Sequence, residues 1–349
     1  MYKIAIAGVG GMGGNIGGYL TRGGQDITMI CMSWKENARV MKEKGLTLIN
    51  PSKAITRVKP EVIFVDELPL LQKKFDILFI CMSSNDTIKT LETMGPYMNS
   101  DCWVVSPQNG INEDTLIPLI GVQNVIPCVS YTGGGFIEPG VVTMHDGYFV
   151  IGELNGKITP RIRELARMLS LVVPTYISSD IMKERWHKLC IAAMVGPVSQ
   201  IYGFNYGFLR GVFQNEKTRQ VLARFVSEVS RLAEVTGYKL DYVEGIAVED
   251  WRQYARGKMP ELSEKIAEVG NKFPDQAPTR MTDRSGNYQR TFSHEMEYIN
   301  GYIINKGKNL GVPTPVNELI VRMIRDLENG KIQSGPENIE TILKTTEIP

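Results

Sequence analysis

Histidine is scarce in this chain. Its three residues, His145, His187 and His294, sit at separations that match no metal-ligand pattern. Cysteine is nearly as thin: Cys31, Cys81, Cys102, Cys128 and Cys190 form no Cys-x-x-Cys pair, so zinc ribbons and thioredoxin-like redox motifs are excluded. No metal is expected. Cys31 and Cys81 end apolar runs, and the thiols read as free core residues of the kind a reducing cytoplasm preserves. Long apolar runs are also missing; none approaches the ~20 residues that a membrane helix needs. The stretch after Lys3 is interrupted by Gly8, Gly10 and Gly11, which makes it a strand and a turn, not a signal peptide. Neither charge sign is in excess, with 39 Lys and Arg against 38 Asp and Glu. That balance gives no electrostatic case for nucleic acid or an anionic membrane as partner. A soluble, cytoplasmic protein acting on a small molecule is the expectation.

At 349 residues the chain is long enough for two domains. Residues 2–7 form a short β-rich run, glycines follow at once, Asn15–Arg22 continues as a helix, and Asp26–Cys31 reads as a second strand. Strand, glycine turn, helix and strand in this order make the first unit of a parallel, doubly wound sheet. Further buried-strand candidates at Val62–Val65, Ile77–Cys81, Trp103–Ser106 and Val125–Val129 alternate with helical or loop segments. Val141–Met144 and Tyr148–Gly152 look antiparallel, with His145-Asp146-Gly147 as a tight turn between them. Ile158–Leu171 has helical spacing, and Val172–Ser178 supplies a last strand. From Asp180, a candidate N-cap, the pattern becomes helical: Met182–Gln200, Asn215–Thr236, Tyr242–Tyr254, Phe292–Leu310 and Pro315–Asn329. A loop-bearing insert is expected over Gly257–Asn287, and a loosely packed polar tail after Gly330. The expected division is 1–179, an α/β Rossmann-type domain, and 180–349, an all-α helical domain for substrate and dimerisation.

Gly8-Val9-Gly10-Gly11-Met12-Gly13 satisfies G-x-G-x-x-G between a strand and a helix. Gly8 permits the tight turn, Gly10 lets backbone approach a pyrophosphate, and Gly13 lets helix and strand pack closely. An NAD site usually places an acid at the end of the second strand, to accept from the ribose 2′-hydroxyl. Here that end reads Ile30-Cys31-Met32-Ser33-Trp34-Lys35, with no acid before Glu36. An uncharged end followed by a hydroxyl and a cation suits a 2′-phosphate, so NADP(H) is expected, with Ser33 and Lys35 as contacts.

Other segments carry a resemblance. Ser106-Pro107-Gln108-Asn109-Gly110-Ile111 after a strand, Ser130-Tyr131-Thr132, Glu138-Pro139-Gly140-Val141-Val142 and Ile151-Gly152-Glu153 occur in that order. Trp186-His187-Lys188-Leu189 follows, then Glu295-Met296-Glu297-Tyr298-Ile299-Asn300-Gly301 and Gly311-Val312-Pro313. This ordered set resembles the ketopantoate reductase (2-dehydropantoate 2-reductase) family over residues 1 to about 325. The resemblance implies a C-terminal helical domain like that of 6-phosphogluconate dehydrogenase, and a homodimer. It implies NADPH-dependent reduction of a 2-oxo acid to a 2-hydroxy acid, with pantothenate biosynthesis as the family's setting. Lys188 would then be the catalytic lysine, Glu295 the active-site glutamate, and Asn109 the asparagine near nicotinamide and substrate. Hydride arriving at a carbonyl carbon leaves charge on oxygen, and a lysine beside it can stabilise that charge and donate a proton.

The chain departs from the family where substrate is recognised. A lysine expected after the strand ending Cys81-Met82 is Ser83. Asparagines expected one and two turns beyond Lys188 are Ala192 and Gly196. The loop before the C-terminal signature is longer and carries Arg280, which can clamp a carboxylate bidentately. A site that loses hydrogen-bonding partners does not keep the same preference. An imine or a bulkier 2-oxo acid is therefore an alternative substrate, and a non-catalytic NADP-binding sensor is the alternative from another class.

Overall fold

The protein is described from a computed structural model over residues 1–204, 209–272 and 292–346. Two compact units emerge, residues 1–184 and, among the described residues, 185–272 with 292–346.

The first unit begins with β1 (Lys3–Ala7), α1 (Gly11–Arg22), β2 (Asp26–Cys31) and α2 (Lys35–Lys44). A hairpin of β3 (Leu46–Ile49) and β4 (Ile55–Val58) precedes β5 (Glu61–Phe64), β6 (Phe75–Ile80) and α3 (Thr87–Met94). Then come β7 (Met98–Ser106), α4 (Glu113–Ile120), β8 (Val125–Ser130) and a second hairpin, β9 (Gly134–Glu138) with β10 (Val141–Met144). β11 (Phe149–Ile151), α5 (Pro160–Leu169) and β12 (Thr175–Ile177) close the unit.

The main sheet has the order β12-β11-β8-β7-β6-β1-β2-β5 among the described residues. From β5 to β8 every pairing is parallel. Those six strands follow the order of a doubly wound dinucleotide-binding sheet, whose direction of winding reverses between β1 and β6. β1 is apolar at successive positions because both its faces are covered. Ile4 and Ile6 join the core on one face, and Ala5 and Ala7 join the core on the other.

The two hairpins meet in a separate sheet, β4-β3-β10-β9, which sequence reading did not identify. It packs on α1, and this explains the glycine-rich helix Gly11-Met12-Gly13-Gly14-Asn15-Ile16-Gly17-Gly18. A Cβ on Gly17 would come within 2.7 Å of Met29 in the main sheet; one on Gly14 would come within 2.7 Å of Val142 in the other. Helical glycine costs about 1 kcal/mol relative to alanine, which close packing on two sides offsets. The pairing expected across His145-Asp146-Gly147 is corrected: β10 pairs with β9 and β3, while β11 pairs with β8 and β12. The two runs leave the turn for different sheets.

The helical portion starts with α6 (Ile181–Tyr202), whose first turn is capped by Asp180: its Oδ1 accepts from Lys183 N at 3.3 Å. α7 (Leu209–Gln214) and α8 (Glu216–Val235) follow, then β13 (Tyr242–Val243), β14 (Ile246–Ala247), α9 (Val248–Ala255) and α10 (Leu262–Val269). α11 (Phe292–Leu310), α12 (Pro315–Glu328) and α13 (Pro336–Thr345) complete it. α8 is the central helix, in contact with α7 and with α9 through α13. Asn215 caps it by accepting from Thr218 N at 3.2 Å. Two helical expectations change. Tyr242–Ala247 is a small hairpin because Glu244 and Gly245 have φ of +53° and +79°, the backbone of a two-residue type I′ turn. The tail is not loose: α13 buries Ile339 and Ile342 completely, and Arg224 donates to the carbonyls of Leu343 and Thr346 at 2.8 and 2.6 Å. The insert expected over Gly257–Asn287 contains α10, and its remainder from residue 273 lies outside the described residues.

Candidate active site

The glycine loop joins β1 to α1 at the reversal point of the sheet. Gly8 has φ +97°, and a Cβ there would meet Met82 Sδ at 2.6 Å. A Cβ on Gly13 would collide with the Gly8 carbonyl oxygen and approach Cys81 Cβ to 2.9 Å. Both glycines are thus required by the protein itself. Gly10 is different: its φ of −94° suits any residue, and a Cβ would meet nothing within 4 Å. Its bare backbone faces a groove of about 290 Å³. The first-turn N–H groups of α1 have no intrahelical acceptor, and an anion beside them is favoured. A dinucleotide pyrophosphate fits this arrangement.

Two buried asparagines hold the loop rigid. Asn37 of α2 donates from Nδ2 to Val9 O at 2.9 Å and accepts at Oδ1 from Gly140 N at 2.8 Å. Asn15 donates to Gly11 O and Thr143 O, both at 2.7 Å. Together they lock the cofactor turn to β10 and to the turn before it. Neither carries a motif, so sequence reading missed both.

Val9, Ser33, Trp34 and Phe136 are among the groove's walls. Ser33, the expected 2′-phosphate contact, is one of these lining residues. Lys35 points elsewhere, to Asp66 Oδ2 at 3.2 Å and over the Phe64 ring at 5.0 Å. Gly11 packs against Gly134, and Met12 packs on the core. Cys31 and Cys81 also line the groove; burial pushes the Cys31 thiol up to about 12 and the Cys81 thiol up as well, so both are inert walls.

The loops after β6 and β7 are tied together on the same edge. Gln108 donates from Nε2 to Met82 O and to Thr87 Oγ1, each at 3.0 Å, and Ser106 Oγ donates to its Oε1 at 3.0 Å. Ser84 Oγ donates to Asn109 O at 3.0 Å. Asn109 is exposed beside this junction and Ser83 lines the groove. The expected sites Ser83 and Asn109 are therefore neighbours through Ser84.

In the second unit, Lys188, Ala192 and Gly196 recur every four residues on α6, and all three are half-buried. Burial holds the Lys188 ammonium below the ordinary lysine range, and the Glu244 carboxylate partly opposes that shift. Glu244 occupies a left-handed position in the β13–β14 turn, which gave no sequence signal. Trp251, fully buried, fixes that turn by donating from Nε1 to Val243 O at 3.0 Å. Glu184, four residues before Lys188, accepts instead from the Tyr131 hydroxyl at 3.2 Å.

Behind this face, Pro197 cannot donate to the Ala193 carbonyl. Asn300 Nδ2 takes that role at 2.9 Å and also donates to Asn317 Oδ1 at 3.1 Å. Asn317 Nδ2 donates to Glu228 Oε2 at 2.8 Å, and Glu228 accepts from Val316 N and Asn317 N at 2.5 and 3.1 Å. Glu295 lies in the first turn of α11, with its side chain outside the described residues; Arg280 lies outside them altogether.

Among the described residues no group of His, Cys, Asp or Glu could hold a metal ion, and no helix is long and apolar enough to cross a membrane. Residues 4–156 match the family model for ketopantoate reductase PanE/ApbA, and residues 180–328 match the model for its C-terminal part. A 2-dehydropantoate 2-reductase from Aquifex aeolicus is 26% identical over 343 residues, spanning 93% of this chain and 97% of the relative. A D-mandelate dehydrogenase solved with NADH and anilino(oxo)acetate superposes with a TM-score of 0.77 at 22% identity, over 94% of this chain and 98% of that one. A dimeric ketopantoate reductase from Staphylococcus aureus gives 0.67 at 18% identity, over 94% and 99%. With both halves matched in order, the chain belongs to the ketopantoate reductase family and is an oxidoreductase that reduces a 2-oxo acid with a nicotinamide cofactor.

Proposed function

We propose that the chain is an NADPH-dependent reductase of a 2-oxo acid more apolar than ketopantoate, with Lys188 as its acid. When bound, the reduced nicotinamide supplies the hydride. Gly8, Gly10 and the start of α1 hold the pyrophosphate, and Asn109 orients the ring or the substrate. Lys188 stabilises the charge that develops on the carbonyl oxygen and gives it a proton, which yields a 2-hydroxy acid. Glu295 orients the ammonium or a substrate hydroxyl, and Arg280 holds the substrate carboxylate. The observation that carries the reading is Lys188 itself: a half-buried cation whose burial makes its proton easier to give up at neutral pH.

The 2′-phosphate preference rests on the end of β2, where Ser33 lines the groove and no acid precedes Glu36. Lys35 reaches a phosphate only by leaving Asp66, an exposed pair worth ~0–1 kcal/mol. The substrate preference rests on Ala192 and Gly196, which leave the helix face beyond Lys188 small and apolar. The D-mandelate dehydrogenase likeness favours the same direction, an aromatic 2-oxo acid. We further propose a cytoplasmic homodimer, divided near residue 180 into cofactor and substrate domains.

The test is NADPH and NADH oxidation with a series of 2-oxo acids of increasing bulk, phenylglyoxylate and ketopantoate included, each with and without ammonia or an amine. Turnover with NADPH that increases with apolar bulk supports the proposal. Turnover that requires the amine points to imine reduction, and tight NADPH binding with no turnover points to a sensor.

A further inference from the structure

The cofactor groove carries one charged side chain that hydride transfer and phosphate binding do not use. Asp86 lines it from the loop after β6, opposite the end of β2, and is half-buried there. Among the described residues it is the only Asp or Glu in the lining, and no Lys or Arg is found there. The carboxylate is accordingly positioned to receive donors from a ligand. Aromatic and thioether side chains supply much of the rest of the lining. Trp34 and Phe136 pack with centroids 4.6 Å apart at 51°, and Met32 and Met82 lie beside them.

The loop that presents Asp86 is fixed in place. Its N–H donates to Ser83 O at 2.9 Å, and Gln108 clamps Met82 O and Thr87 Oγ1 on either side, each at 3.0 Å. A carboxylate on so constrained a loop selects among ligands instead of adapting to each. With the pyrophosphate at Gly10 and the ribose at Ser33, the base falls between the ends of β2 and β6, between the aromatic pair and Asp86.

We infer that Asp86 is a specificity residue that reads the exocyclic amino group of adenine, the base being seated against Trp34 and Phe136. An amino group donates to a carboxylate. The 6-oxo group of hypoxanthine presents an acceptor at the same place, so the two oxygens repel. The inference rests on the proposed NADPH site.

Binding of NADPH, NADH and their hypoxanthine analogues to the full chain, followed by quenching of tryptophan fluorescence, tests it. The wild type should prefer adenine to hypoxanthine by on the order of tenfold or more, the worth of one hydrogen bond to a charged acceptor. Asp86→Asn should reduce that preference severalfold and leave the ratio of NADPH to NADH affinity unchanged. A wild type that binds both bases equally overturns the inference without any variant. So does a D86N change shared equally by all four dinucleotides, or one that appears only in the NADPH to NADH ratio, because Asp86 would then face the ribose. If the wild type binds none of the four, the cofactor reading itself fails with it.

Discussion

Gly10 and Gly13 are two residues of one motif, but they are predicted to fail for opposite reasons. At Gly13 a methyl group collides with the Gly8 carbonyl and sits 2.9 Å from Cys81 Cβ. Overpacking of this kind costs ~1–3 kcal/mol or more. At ~2–4 °C per kcal/mol, Gly13→Ala should lower Tm by up to about 10 °C without cofactor. At Gly10 the φ of −94° is ordinary and the space is empty. Gly10→Ala then loses only the modest N-cap advantage of glycine, under ~1 kcal/mol, and Tm should move by a few degrees at most. Its methyl group enters the space where backbone and pyrophosphate must approach. We expect NADPH affinity to fall ~10–100-fold, or about 1.4–2.8 kcal/mol. Thermal melts by circular dichroism with and without NADPH separate the two effects, since a ligand at 100 times its Kd stabilises by about 2.7 kcal/mol. Gly10→Ala should melt nearly as wild type alone, and at that NADPH concentration its stabilisation should fall from about 2.7 to about 0.4–1.4 kcal/mol. A Gly10→Ala protein that keeps the full shift, or that unfolds as Gly13→Ala does, refutes the reasoning.

Other perturbations probe the second unit. Asn300→Leu strands the Ala193 carbonyl and Asn317 Oδ1, and should cost ~1–3 kcal/mol in urea denaturation; adding Pro197→Ala should recover part of it by restoring a backbone donor to Ala193. Burial raises the Glu228 carboxyl from 4.5 to about 7 in the folded state, so its protonated form stabilises the fold below about 4.5. That contribution is lost as pH rises through about 7, at up to ~1.4 kcal/mol per unit, and Glu228→Gln should flatten this slope in denaturant midpoints. Glu244 keeps the Lys188 pKa from falling further. Glu244→Gln should therefore move the alkaline fall of kcat/KM, where the acid is lost, to lower pH; an unmoved profile would separate Glu244 from the lysine.

The parallel sheet was legible in the sequence because its strands are short apolar runs closed by glycine or polar turns, and because G-x-G-x-x-G falls directly between a strand and a helix. The second sheet was not. Leu46–Ile49 is only four residues long, Ile55–Val58 is only half apolar, and Gly134–Glu138 opens with two glycines, so their pairing depends on α1 beneath them. The same glycines of α1 that mark the cofactor turn are also the contact surface for that sheet, a role that periodicity cannot assign. Asp180 was readable as a cap because capping is local, whereas Asn215 was read only as the start of a helix. Glu244 was not readable, since a carboxylate at a left-handed turn acquires meaning only when another element brings Lys188 near it. Asn37 and Asn15 were silent for a related reason. Each bridges backbone groups, and the acceptors and donors that they satisfy are fixed only by the folded chain. The tail after Gly330 looked polar overall, yet two isoleucines three residues apart, Ile339 and Ile342, suffice to anchor one helical face.

The central claim is that Lys188 delivers the proton while the cofactor reduces a 2-oxo acid. Lys188→Met keeps the length and apolar stem of the side chain and removes its charge. Because burial disfavours that charge in the folded state, the variant should melt no lower than wild type and should bind NADPH with unchanged affinity. Its kcat with the best 2-oxo acid, read from NADPH absorbance at saturating substrate, should fall by ~10²–10⁴-fold. A folded Lys188→Met protein that turns over within a few-fold of wild type would contradict the account.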